Sequence, residues 1–183
     1  MIRLQKFTKS DYDRLILWID SKETLMQFAG PGFTFPLTSE QLEESLTDNN
    51  RFAFTIIDAD SGNYIGHSEI FLTGTSASLG RILIGDHQLR GKGLGREIVL
   101  QLLEYSFNTL DQRQVELNVF DWNIGAIRCY EKVGFTINPY KKLERKINGE
   151  TWIALNMTLD KQKWNEKNEY KQNHECTNNQ KVD

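Results

Sequence analysis

The sequence has 183 residues, 39% hydrophobic and 26% charged, enough for one domain with its own core and too few for two. Lysine and arginine number 22 against 25 aspartates and glutamates, for a net charge of −3. That balance excludes the broad electropositive field of a nucleic-acid-coating protein. The two cysteines, Cys129 and Cys176, form neither a disulfide framework nor a metal-ligand spacing. No apolar run reaches the roughly 18 residues of a membrane span, and Met1 to Asp11 holds no signal-like stretch. The expectation is a soluble, cytoplasmic protein with no nucleic-acid or membrane partner.

Ile2 to Phe7 reads as a first strand, and after Ser10 the residues Tyr12, Leu15, Ile16 and Ile19 recur at helical spacing. Gly30-Pro31-Gly32 marks a loop before a second helix, whose start has the capping-box form Thr38-Ser39-Glu40-Gln41 ahead of Leu42 and Leu46. Phe52 to Asp58 and Tyr64 to Leu72 are β-branched and aromatic runs joined by Asp60-Ser61-Gly62-Asn63, a hairpin composition. Leu79 to Ile84 is a further strand. Leu94, Ile98, Leu102 and Phe107, with Leu110 beside them, then predict a long helix. Gln114 to Phe120 returns to strand pattern, and Ala126, Ile127, Tyr130 and Val133 mark a helix that Gly134 ends. Tyr140 to Ile147 and Thr151 to Leu159 flank Asn148-Gly149, a strong hairpin signal. The order predicts a single α/β (mixed α+β) domain over residues 1 to 160, with a mostly antiparallel mixed sheet flanked by helices. Residues 161 to 183, rich in Lys, Gln, Asn and Glu, are expected to be a frayed helix start followed by disorder.

The segment Arg90-Gly91-Lys92-Gly93-Leu94-Gly95 lies between a strand and a helix. Glycines there let the backbone take φ > 0 and leave loop and first-turn amides pointing outward, an anion site suited to phosphate. Arg90 and Lys92 add positive charge. The dinucleotide pattern G-x-G-x-x-G fails because Arg96 stands where the third glycine should be. The phosphate-loop pattern of nucleotide hydrolases fails because five residues, not four, separate Gly85 from Gly91-Lys92, and Gly93 replaces the magnesium-binding Ser or Thr.

Arg90-x-x-Gly93-x-Gly95 resembles the pyrophosphate loop of the GNAT superfamily of acetyl-CoA-dependent N-acetyltransferases. Asn123-Ile124-Gly125-Ala126-Ile127-Arg128-Cys129-Tyr130-Glu131-Lys132-Val133-Gly134-Phe135 resembles that family's other signature, Asn-x-x-Ala-x-x-x-Tyr-x-Lys-x-Gly-Phe. Trp18, Phe28-Ala29-Gly30-Pro31 and Pro36-Leu37-Thr38 are similar to the branch that acetylates ribosomal-protein amino termini and small amines.

The resemblance implies direct transfer of acetyl from acetyl-CoA to an amine, a protein amino terminus or a small molecule, and homodimers are common in the family. It implies that Arg90, Gly91, Lys92, Gly93, Leu94 and Gly95 hold the pyrophosphate. Leu83, Ile84 and Gly85 match the splayed strand that bonds the pantetheine arm and can donate to a developing oxyanion. Tyr130 matches the tyrosine that protonates the departing thiolate, and Asn123 matches a residue that bonds the cofactor arm while capping its helix. The base is less marked. Glu69, alternating with apolar neighbours on its strand, is the candidate, with Glu116, His67 or a water as alternatives, because Ser78 stands near the place where relatives often carry glutamate. Trp18, Phe33 and Phe35 are candidate walls of the acceptor site, and Asp20 and Glu23 would suit a cationic amine if they faced it. A non-catalytic acyl-CoA sensor on the same fold is the rival reading.

Overall fold

The apolar runs pair into one seven-stranded sheet in the order β1-β2-β3-β4-β5-β7-β6. The strands are β1 (Ile2–Lys6), β2 (Arg51–Asp58), β3 (Tyr64–Thr73), β4 (Ser76–Ile84), β5 (Gln114–Phe120), β6 (Thr136–Ile147) and β7 (Glu150–Asp160). Every neighbouring pair is antiparallel except β4 and β5, so the mixed, mostly antiparallel sheet matches the expectation. The computed structural model describes residues 1–169.

Alternation along β2 sends Phe54 and Ile56 to one face of the sheet and Ala53 to the other, and each face has its own core. On the first face α4 (Leu94–Glu104) and α5 (Ile124–Val133) bury Ile98, Val99, Leu102, Leu103, Ile127 and Val133. On the second, α1 (Tyr12–Trp18), α2 (Lys22–Ala29) and α3 (Ser39–Ser45) bury Leu15, Leu25, Phe28 and Leu42. The sequence pattern passed over α2. It is only eight residues long, but Ser21 caps it by accepting from the Thr24 amide at 3.1 Å.

Two predicted helices differ in detail. The pattern Leu94, Ile98, Leu102, Phe107 ends in a five-residue step, and the chain takes that step as a π turn over Tyr105–Thr109, with the Leu110 amide bonded to the Tyr105 carbonyl at 3.0 Å. Phe107 thereby stays fully buried. At α3, Thr38 accepts from the Gln41 amide at 3.4 Å, but the Gln41 side chain bonds Thr34 and Pro36 instead of closing the capping box.

Asn148 and Gly149 both have positive φ, +49° and +83°, as the tight β6–β7 hairpin requires. β6 starts earlier than predicted, at Thr136, and its register shifts between Ile137 and Lys142, where Pro139 can donate nothing to the ladder. Beyond β7 the chain is helical over 161–169, and Trp164 is 5% exposed, its ring 6.0 Å from that of Phe107. The core therefore reaches past the boundary expected at residue 160; the disorder expected further along falls on residues outside those described.

Candidate active site

The parallel pairing of β4 with β5 is short. It runs from Ser76↔Gln114 to Leu79↔Leu117 and stops there, although β4 continues to Ile84 and β5 to Phe120. A bulge parts the strands. Glu69 pairs with Gly80 and His67 with Leu83, so Arg81 and Ile82 together oppose Ser68, and Arg81 takes φ +52°. An interior Gly80 was the one local sign of this bulge, and sequence reasoning did not use it.

The parted strands enclose a cleft of about 450 Å³. Gly80, Arg81 and Ile82 form one wall and Leu117 to Phe120 the other. Asn123 and Tyr130 of α5, the Gly30-Pro31-Gly32 turn, Phe71 and Arg145 also line it. Arg145 was not among the sequence candidates, because nothing local in a polar edge strand distinguishes it.

Asn123 caps α5 through its side-chain oxygen, 3.2 Å from the Ala126 amide, so capping and a place on the cleft coincide. The Tyr130 ring packs against Phe135 at 6.0 Å, and its hydroxyl has no hydrogen-bond partner among the described residues. Burial, helped by the nearby Cys129 sulfur, pushes the Tyr130 phenol well above its ordinary pKa, so it stays protonated at neutral pH.

Leu83, Ile84 and Gly85 do not line the cleft. Leu83 is buried in the second core. The Ile84 carbonyl accepts two bonds from Arg90, at 3.0 and 3.2 Å, and the Gly85 amide donates to Ile65 at 3.0 Å. Trp18 packs so closely over Gly85 that a Cβ there would lie 2.1 Å from its ring, which uses Trp18 for packing rather than for the cleft wall. The part of the strand that lines the cleft is Gly80 to Ile82, and Leu83 and Ile84 continue the same parted stretch of β4 toward the glycine loop.

In the glycine loop Gly91 and Gly93 have φ +75° and +86°, and added Cβ atoms at Gly91, Gly93 and Gly95 would meet nothing within 4 Å. The amides from Gly91 to Gly95 have no acceptor among the described residues, and they stand at the start of α4. That is the arrangement an anion site needs. Arg90, tied to Ile84, braces this loop against the strand end.

Glu69 corrects the expectation of a base. It is 2% exposed, absent from the cleft wall, and clamped by Arg51 at 2.5 Å, Arg81 at 3.1 and 3.2 Å, and His67 at 3.1 Å. Burial alone would raise its pKa, but the His67 hydrogen bond and charge and the Arg81 and Arg51 charges outweigh that and hold it at about 2. A carboxylate so weakly basic takes no proton from an ammonium near neutral pH. His67 is buried against Phe7, with ring centroids 4.5 Å apart. Glu116 is paired with Lys141 at 2.8 Å and accepts from the buried Asn156 at 3.1 Å. Among the described residues no carboxylate or imidazole lines the cleft.

The other acceptor-site candidates are also placed elsewhere. Phe33 borders a neighbouring recess beneath the Arg81 guanidinium, and Phe35 packs in the second core. Asp20 accepts from Thr24 at 2.8 Å and Glu23 from Asn148 at 2.5 Å, both away from the cleft.

Comparison with known proteins agrees with this geometry. A family model described as an acetyltransferase (GNAT) domain matches residues 2–136. The spermidine N(1)-acetyltransferase of Vibrio cholerae is 31% identical over 125 residues, 67% of this chain and 70% of that one. The SPbeta prophage-derived uncharacterized N-acetyltransferase YokL of Bacillus subtilis is 32% identical over 97 residues, 52% of this chain, and the match spans only 54% of that relative's length. The crystal structure of the Vibrio cholerae spermidine enzyme in complex with CoA and spermine superposes with a TM-score of 0.75 at 26% identity, covering 89% of this chain and 97% of that one. With the strand parting, the glycine loop and the Asn123 to Phe135 helix all in place, the chain belongs to the GNAT family of acetyltransferases.

Proposed function

We propose that the protein transfers the acetyl group of acetyl-CoA to the nitrogen of a small primary amine. The observation that carries this reading is the parting of β4 from β5 after Leu79 and Leu117, beside a loop whose five consecutive amides, Gly91 to Gly95, are unpartnered among the described residues. The loop fits a pyrophosphate. The parted strand edge at Gly80 to Ile82 fits the pantetheine arm and thioester.

Acetyl-CoA supplies an acyl group activated as a thioester; the chain supplies position and protons. The amine nitrogen forms a bond to the carbonyl carbon as the carbon–sulfur bond breaks. Tyr130 gives its proton to the departing thiolate, a role for which a phenol kept protonated by burial is suited. The ammonium proton leaves through water, because among the described residues no carboxylate or imidazole lines the cleft. Asn123 holds the start of α5 and with it the reach of Tyr130 into the cleft. That no base lines the cleft among the described residues is the observation that favours the rival sensor, which would bind acetyl-CoA without turnover. Thiol release on addition of amines separates the two: release supports the transferase, and saturable binding without release supports the sensor.

The same proposal places the protein in the cytoplasm as a homodimer, checked by fractionation and light scattering. Among the described residues no helix is long and apolar enough to cross a membrane.

A further inference from the structure

The cleft carries charge of one sign. Among the described residues, the ionised side chains that line the cleft are Arg81 and Arg145, and no aspartate or glutamate accompanies them. Both guanidiniums border one turn. The Arg145 Nε lies 3.9 Å from where a Cβ on Gly30 would stand, and the Arg81 Nη2 lies 3.2 Å from one on Gly32.

The nearby acids do not cancel this charge. Arg81 shares Glu69 with Arg51, so two guanidiniums meet one carboxylate, and Glu44 adds a second acid only in the adjoining recess. Arg145 has no acidic partner among the described residues; its Nη1 donates to the Glu144 carbonyl at 3.0 Å. Glu69 and Glu44 together leave Arg51, Arg81 and Arg145 with positive charge in excess. None of Arg90 to Gly95 lines the cleft, so these two arginines stand apart from the loop suited to the cofactor's phosphates. A polyamine seated here would meet like charge and, among the described residues, no carboxylate, a costly arrangement in a partly desolvated site.

We infer that the acceptor is a small amine carrying an anionic group, a carboxylate or a phosphate, close to its nucleophilic nitrogen. This rests on the transferase reading. Arg145 binds that anion through its planar fork, with the charge of the buried Arg81 beside it, and the amine is thereby aimed at the strand edge formed by Gly80 to Ile82.

The test uses matched pairs, tyrosine against tyramine and phosphoethanolamine against ethanolamine, with spermidine as a cationic comparison. Acetyl-CoA binding is measured first by calorimetry. Thiol release then gives kcat/KM for each amine, and calorimetry in the presence of CoA gives its binding, for the wild type, Arg145→Gln and Arg145→Lys. The expected result is a preference of about tenfold or more for an anionic member over its partner, the loss of at least one charge-assisted hydrogen bond. That ratio falls toward one in Arg145→Gln and is partly kept in Arg145→Lys. Which pair shows the larger ratio separates carboxylate from phosphate. Spermidine preferred, or pairs that cannot be distinguished in the wild type, would overturn the anionic acceptor alone. Absence of acetyl-CoA binding would overturn the transferase reading, and the acceptor class with it.

Discussion

The Arg81 Nη1 lies 3.1 Å from one oxygen of Glu69 and 3.2 Å from the other, while the Arg81 backbone holds φ +52° in the bulge that parts β4 from β5. The ion pair thus fastens the residue that opens the cleft. A left-handed conformation costs a non-glycine residue about 1–2 kcal/mol, and a buried two-arginine clamp on one carboxylate can hold it. Glu69→Gln leaves both guanidiniums facing a neutral amide, and the expected loss of stability is about 3–5 kcal/mol. Urea unfolding checks this, and a change below about 1 kcal/mol would show that the clamp does not hold the bulge.

The same residue sets a pH dependence. The folded-state pKa of Glu69 is lowered from 4.5 to about 2, so the stability its ionised form contributes is complete above pH 4.5 and is lost as pH falls from 4.5 toward 2. Stability of the wild type should decline through that window more steeply than that of Glu69→Gln. Parallel acid limbs for the two proteins would remove Glu69 as the cause.

Tyr130→Phe keeps the ring packing against Phe135 and removes the proton. Turnover should fall by roughly a hundredfold with little change in acetyl-CoA affinity, as for loss of a general acid. Weakened affinity at unchanged kcat would instead make Tyr130 a binding residue.

Gly93→Val puts a β-branched side chain at φ +86° beside amides that have no acceptor among the described residues. Acetyl-CoA affinity should drop by about tenfold or more, from strain in the loop and from the bulk over the anion site. Calorimetry reads this directly, and wild-type affinity in the variant would move the phosphate site elsewhere.

Much of this was legible in the sequence because it depends on local pattern. The glycine loop, the Asn123 cap and the Tyr130 helix each sit inside a short run with its own backbone logic. Glu69 was misread because alternation on β3 reports which face a residue takes, not what waits there, and its partners Arg51 and Arg81 come from two other strands. Arg145 reaches the cleft only because the β6–β7 hairpin folds back beside the Gly30–Gly32 turn, a long-range placement no local spacing encodes. The bulge at Arg81 and Ile82 was not legible because it is a property of the β3–β4 register.

Trp164 makes the same point for the segment after β7. A lone aromatic in a polar stretch reads as surface, yet it is 5% exposed beside Phe107. Trp164→Ala should cost about 3–5 kcal/mol, read as a lowered midpoint of thermal unfolding, and an unchanged midpoint would place the indole outside the core.

The most direct test of the central claim is a titration of the purified protein with acetyl-CoA, followed by addition of an amine panel while free thiol is monitored. The account predicts saturable binding and thiol release that depends on both acetyl-CoA and amine. An intact, folded protein that binds no acetyl-CoA would contradict it.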